Sequence, residues 1–183
     1  VASTVLALGL DVTIVDSGRL PFERTLGADI GHFLADRYRA HGVDLRLETR
    51  ATRLHRDGRG ALRAVALADG SELRCDLLLV AAGVEPASDL LGLHAGIPTD
   101  ADGRTALPGV YACGDAAAPW HPILAAHLRP EHWTSAAHHA ATVARTILGR
   151  YPGVAPSPYF WSDQFGLRLQ HVGYPQGWRR VVL

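Results

Sequence analysis

A chain of 183 residues that is 48% hydrophobic and 20% charged holds enough apolar material for a core and enough length for one domain or parts of two. Its 18 basic and 18 acidic residues cancel, which argues against a nucleic-acid binder, because that class carries a basic excess. The longest apolar runs, such as Leu77 to Gly83, are far too short to span a bilayer, and no cationic stretch followed by an apolar one opens the chain; a cytoplasmic protein is the expectation.

In chain order, Val1 to Leu8 has helical character and stops at Gly9, a natural C-terminal breaker. Asp11 to Asp16 follows as a short β-branched strand ending on a carboxylate. Leu26 to His41 carries Ile30, Phe33, Leu34 and Tyr38 at helical spacing and closes at Gly42. Short strand-like runs come next, around Leu45 and Leu47 and from Ala61 to Leu67, with turn signals at Asp57-Gly58 and Asp69-Gly70; they predict an antiparallel excursion of two or three strands. Leu77 to Gly83 is continuously apolar, as expected of a strand buried on both faces of a parallel sheet. Turn-rich sequence then leads into Val110 to Asp115, and Thr134 to Leu148 is alanine-rich and helical. Proline and glycine punctuate Tyr151 to Pro158 like a domain boundary, after which Tyr159 to Trp161 and Leu167 to Val172 alternate like strands.

Helix, strand, helix, meander and buried strand form the α/β order of a doubly wound nucleotide-binding domain, although no G-x-G-x-x-G loop precedes the first helix. Lysine, asparagine and methionine are absent and the chain opens on Val-Ala-Ser-Thr within a helical pattern, so it reads as an internal piece of a longer protein, from a host with G+C-rich codons. Cys75 and Cys113 form no C-x-x-C pair, which points to structural thiols rather than a redox dithiol or a zinc cluster, and the ten histidines show no metal-ligand pattern.

Two carboxylates stand where this fold binds nucleotides. Asp16, at the end of the second predicted element, suits an adenosine ribose, or else simply initiates a turn. Asp115 closes the string Thr105 to Asp115, at the carboxyl end of a predicted strand, where a carboxylate accepts a hydrogen bond from a polyol such as a flavin's ribityl chain. Gly114 allows close backbone approach, and N–H groups at a following helix start would face a pyrophosphate.

The Thr105 to Asp115 string resembles the second FAD-binding motif of the two-dinucleotide-domain flavoprotein reductases. Arg129-Pro-Glu-His-Trp133 and Pro158-Tyr-Phe-Trp-Ser-Asp-Gln164 resemble segments of the oxygenase-coupled branch, the ferredoxin, rubredoxin and putidaredoxin reductases. Val12 to Asp16, Leu26-Gly27, His41 to Val43, Asp69-Gly70, Gly83 to Pro86 and His121-Pro122 fall in matching order. The implied fold class is α/β: a partial doubly wound, two-dinucleotide-domain FAD/NAD(P)-binding flavoprotein with the start of an α+β C-terminal interface domain. The implied division is residues 1–85 for the NAD(P)-binding domain, without its N-terminal Gly-rich loop, 86–152 for the second segment of the FAD-binding domain, and 153–183 for a truncated reductase interface domain.

The resemblance implies FAD and NAD as cofactors and transfer of electrons from NADH through FAD to a ferredoxin-type iron–sulfur protein serving an oxygenase. It gives Asp16 to the NAD ribose, where a carboxylate favours NADH, with Arg19 nearby able to tolerate NADPH. Ala82 and Gly83 would line the nicotinamide passage, Gly114 and Asp115 would hold the ribityl chain, Glu131, His132 and Trp133 would flank the rings, and Trp161 would lie near the flavin's other edge. No acid–base residue and no metal site is implied, since the chemistry belongs to the flavin. Arg129, Arg179 and Arg180 are candidates for docking an acidic ferredoxin. Pro130, Ala87 and Ser135 depart from the family's usual residues. A peroxide-reducing or NADH:acceptor flavoprotein and an NADH-binding signalling protein like apoptosis-inducing factor are the alternatives, and an isolated piece is expected to hold FAD poorly and remain inactive.

Overall fold

The computed structural model describes residues 1–154 and 157–174. The chain divides into two compact units, residues 1–81 with 163–168, and residues 82–162 with 169–174.

In the first unit, α1 (Ala2–Ala7) runs into Gly9, whose φ of 78° is the left-handed geometry that ends a helix. The β1 strand (Thr13–Val15) pairs in parallel with β2 (Asp44–Arg46), Thr13 opposite Asp44 and Val15 opposite Arg46. Between them lie a short α2 (Glu23–Leu26) and α3 (Ala28–Ala40). This is the β-α-β order expected from the sequence, with α3 closing at Gly42. The buried stripe of α3 is Gly31, Leu34, Ala35 and Tyr38; of the apolar residues at helical spacing, Ile30 and Phe33 are 40% and 50% exposed. Gly31 packs so tightly on Leu20 that a Cβ would meet the Leu20 Cβ at 2.9 Å. That approach rotates the helix so that the small residue, rather than its large neighbours, faces the core.

The predicted antiparallel excursion is met in part: the run at Leu45 is β2, paired in parallel with β1, while the antiparallel sheet has the order β3 (Ala51–Arg56), β4 (Leu62–Leu67), β5 (Glu72–Arg74). Its turns are set by aspartates. The Asp57 carboxylate accepts from the Arg59 and Ala61 amides at 2.9 and 3.0 Å, and that of Asp69 accepts from the Ser71 amide at 2.9 Å. Ala64, Val65 and Leu67 of the central strand are buried.

One expectation fails. Leu77 to Gly83 forms no strand: Leu77, Leu79 and Val80 are 84%, 61% and 75% exposed, and no described strand pairs with them. An apolar run becomes a strand only when neighbouring strands offer a hydrogen-bond ladder on its edges, and none does so here.

In the second unit, β6 (Ile97–Thr99) pairs in parallel with β7 (Ala117–His121), which pairs antiparallel with β8 (Ala126–His127). Ala117, Ala118 and Leu128 are buried. The helix α4 (Trp133–Ile147) matches the predicted alanine-rich helix. It is held by Gly103, which has φ 85° and where a Cβ would overlap the Val143 side chain, and by Thr146, whose hydroxyl donates to the Asp102 carbonyl at 3.0 Å. The strands β9 (Tyr159–Gln164) and β10 (Leu167–Val172) pair as the predicted alternation requires. They are joined by Phe165 and Gly166, with φ of 51° and 69°, the twin positive angles of a two-residue hairpin turn. No helix among the described residues is long and apolar enough to cross a membrane.

Candidate functional site

The site is built on the start of α4 and the turn packed against it. Gly114 to Ala116 form a single 3-10 turn with Gly114 at φ 70°. A Cβ at Gly114 would sit 3.9 Å from that of Ala136, one turn into α4. The turn leaves Asp115 exposed. Two expectations about this string are corrected. Val110 to Cys113 forms no strand, only an isolated bridge between Arg104 and Tyr111, and Asp115 leads into the strand β7, not into a helix start. A helix does begin nearby, but it is α4, from a later segment.

Three further predicted residues form the entry to α4. Glu131 has φ 51°, unusual for a residue with a Cβ. Its carboxylate is ion-paired with Arg129, whose stem packs against Gly96 so closely that a Cβ there would meet the Arg129 Cδ at 2.7 Å. His132 is the residue preceding the helix, with an extended backbone and no side-chain cap. Its imidazole is held below its ordinary value, first by burial, against the opposing pull of the Asp115 and Glu131 carboxylates. Its ring lies 5.1 Å from that of Phe160, which lies 5.1 Å from that of His171. Trp133, the first helical residue, is 78% exposed.

Trp161 is 42% exposed and stacks on Tyr159 at 5.8 Å between centroids. The Tyr159 carbonyl accepts from the Thr134 hydroxyl at 3.0 Å, and its own hydroxyl accepts from the Gln170 amide at 2.7 Å. The structure thus gathers Gly114, Asp115, Glu131, His132 and Trp133 about one helix start and ties the strand carrying Trp161 to the same first turn.

Asp16 lies in the first unit, beyond β1. Its carboxylate accepts from the Gly18 amide at 2.7 Å, a turn-initiating bond that leaves the side chain exposed. Both readings of Asp16 are compatible with this geometry. Arg19 is ion-paired with Glu23. Ala82 and Gly83 are exposed in an irregular stretch, Gly83 with φ 99°.

The docking candidates fare unevenly. The Arg129 side chain is only 19% exposed and already neutralised by Glu131; Arg179 and Arg180 lie outside the described residues. Cys75 and Cys113 are both free thiols, and no metal-binding cluster exists among the described residues.

His139, six residues into α4, belongs to no motif in the sequence. Burial holds its imidazole below the ordinary value, opposed by the Gly114 carbonyl, and its Nδ1 is buried without a partner. It lines a small cavity of ≈ 50 Å³ with Ser135, Thr142 and Val143. The usable signal was its spacing: His139 shares a helix face with Ser135 and Thr142, whereas adjacent His138 is exposed.

Comparison with known proteins bears on this arrangement. Residues 1–140 match the family model described as pyridine nucleotide-disulphide oxidoreductase, and residues 159–183 match one described as reductase C-terminal. A ferredoxin–NAD(P)(+) reductase of a Sphingomonas species is 35% identical, covering 100% of this chain and 45% of that protein. The ferredoxin–NAD(+) reductase component of a p-cumate 2,3-dioxygenase system from Pseudomonas putida is 31% identical, again over 100% of this chain and 45% of the relative. The crystal structure of a covalent putidaredoxin reductase–putidaredoxin complex superposes with a TM-score of 0.92 at 27% identity, covering 98% of this chain and 44% of that one. The chain therefore spans a little under half the length of these relatives, and it belongs to the pyridine nucleotide-disulphide oxidoreductase family.

Proposed function

We propose that the chain forms part of an FAD-containing, NADH-oxidising reductase that delivers electrons to a ferredoxin-type iron–sulfur protein of an oxygenase system. The observation that carries this reading is the pairing of an exposed carboxylate on a glycine-set turn, Asp115 after Gly114, with a 78% exposed indole, Trp133, at the start of the helix the turn packs against. An exposed indole offers a flat apolar face on which a planar ring can stack, and an exposed carboxylate suits a polyol. The residues present therefore fit a flavin: Asp115 for the ribityl hydroxyls, Trp133 and Glu131 beside the ring system, Trp161 at another edge.

When bound, the flavin supplies the chemistry, accepting a hydride from NADH and releasing electrons singly to the iron–sulfur partner. The chain's own residues bind, orient and shield. Burial holds the His132 imidazole below its ordinary value, which disfavours a positive charge at the entry to α4. Asp16 would accept from the adenosine ribose of NAD, and the nearby Arg19 is ion-paired with Glu23. Ala82 and Gly83 would line the nicotinamide approach.

We assign residues 1–85 to NAD binding, 86–152 to FAD binding and 153–183 to the interface domain; the break between residues 81 and 82 supports the first boundary alone. Arg179 and Arg180 remain the docking cations to test first, since Arg129 is compensated by Glu131.

The deciding experiment uses the full-length protein. It should purify yellow, and Asp115→Ala should raise the FAD dissociation constant about tenfold or more, the usual worth of a charged hydrogen bond. Loss of the same flavin affinity in a control at exposed Asp36, or none in Asp115→Ala, would remove Asp115 from the site; a colourless protein that takes up no FAD would remove the reading altogether.

A further inference from the structure

The cavity beside α4 is lined by two histidines, each with a buried ring nitrogen that has no partner. We infer that this cavity is a binding site for one ordered water, held between His121 at the end of β7 and His139 on α4. Both residues belong to the same compact unit, and the inference is independent of the flavin reading above.

The tautomer of each ring follows from its other partner. The Leu124 amide donates to the His121 Nδ1 at 3.3 Å, so that nitrogen is bare and the ring proton sits on Nε2. The His121 Nε2 is buried and unpartnered, which makes it a donor with nothing to donate to. In His139 the roles are exchanged. The Gly114 carbonyl favours a proton on this ring, and a carbonyl can only accept. With Nδ1 unpartnered, that proton belongs to Nε2, and Nδ1 is left as a buried lone pair. One wall of the cavity thus presents a donor and another an acceptor.

The two nitrogens make no direct bond, so a molecule between them completes the pair. It must accept from His121 and donate to His139. A cation would face the His121 N–H, an anion would face the His139 lone pair, and an apolar molecule would satisfy neither. Water does both. Ser135, 8% exposed and on the same cavity, offers its hydroxyl as a third partner. The volume of ≈ 50 Å³ is ample, since one water needs about 10–15 Å³. The bridge also completes a chain of hydrogen bonds running one way, from the Leu124 amide through both imidazoles to the Gly114 carbonyl, in which each bond strengthens the next.

The test is a crystal structure of the full-length protein at a resolution that shows ordered solvent. A water within about 2.7–3.2 Å of both the His121 Nε2 and the His139 Nδ1 is expected. No water there, a direct bond between the rings, or a side chain filling the space would each overturn the inference. Histidine-ring nitrogen NMR reads the same site in solution. Both rings should carry their proton on Nε2, and a proton settled on either Nδ1 would overturn the tautomers on which the bridge depends. His121→Leu removes the donor to the water and should shift the His139 Nδ1 resonance; His121→Gln, whose amide can still donate, should move it back. The same His139 resonance in all three proteins would count against the bridge. In urea unfolding, His121→Leu and His139→Leu should couple, the double variant retaining about threefold to tenfold more stability in its unfolding equilibrium constant than the two single losses predict. Strictly additive losses would contradict a shared water. A colourless protein would remove the flavin reading and leave every one of these measurements intact.

Discussion

Substituting Gly103 by alanine tests whether the segment before the Asp115 string fixes α4 and, with it, the site residues at the start of that helix. Two costs add at this position. The residue has φ 85°, and placing a side chain in left-handed backbone costs about 1–2 kcal/mol. The new Cβ would also overlap the Val143 Cγ2 and approach the Ala112 carbonyl at 3.4 Å, and forced overpacking costs about 1–3 kcal/mol. Neither neighbour yields easily: Val143 is fixed on α4, and the amide of Ala112 donates to the Gly103 carbonyl at 3.1 Å. Gly103→Ala should therefore destabilise by about 2–5 kcal/mol. Gly109 is the control, with φ 78° and nothing within 4 Å of its built Cβ, so Gly109→Ala should lose only the backbone term of about 1–2 kcal/mol. Urea unfolding of the full-length protein followed by far-UV circular dichroism measures both. Val143→Ala opens the space, and in that background the cost of Gly103→Ala should fall toward the Gly109→Ala value. Equal costs at 103 and 109, or no relief from Val143→Ala, would refute the close approach.

Two other predictions concern binding and pH. On the proposed reading, Asp16→Ala should raise the NADH KM of the full-length protein about tenfold or more, by loss of charged hydrogen bonds to the ribose, and leave the KM for the proposed iron–sulfur partner unchanged; an unaltered NADH KM would reduce Asp16 to its bond with Gly18. Burial holds His132 and His139 below the ordinary value of 6.5, so between their folded values and 6.5 the unfolded chain binds more protons than the folded one. Stability is then full above 6.5 and is lost as pH falls through the window beneath it. His139→Gln should flatten that acid-side decline in urea midpoint, and a wild-type midpoint that holds constant across the window would contradict the burial argument.

Much of the fold was legible because its signals are local. The Asp57-Gly58 and Asp69-Gly70 dipeptides specify their turns through carboxylates that cap neighbouring amides, and α4 announces itself by alanine content over 15 residues. The errors fall where the outcome depends on distant partners. Helical spacing marked Ile30 and Phe33 on α3, but the face that turns inward was decided by contact of Gly31 with Leu20, which periodicity cannot register. At the site, the strings around Asp115 and Trp133 named residues that fold together, whereas the segment after Asp115 became a strand because β6 and β8 flank it. Arg129 looked like a free cation in sequence because its partner, Glu131, is brought back by a left-handed residue that no composition rule anticipates.

The run Leu77 to Gly83 shows how pattern and packing answer different questions. Its unbroken apolarity describes an environment closed on both faces, while its exposure shows that the described strands do not supply that environment. The two observations agree if neighbouring strands and covering helices come from other segments, which the 45% share of the relatives' length leaves room for. Residues placed by that ladder, Ala82 and Gly83 among them, then take their working positions from it rather than from contacts present here. Asp115 and Trp133 differ in kind. Their positions follow from Gly114 against Ala136, Gly103 against Val143, and Thr146 bonded to Asp102, all contacts already made within one unit. The half of the proposed site at α4 thus stands on packing that the chain supplies itself, and it is the half on which a failed flavin-binding experiment would tell most.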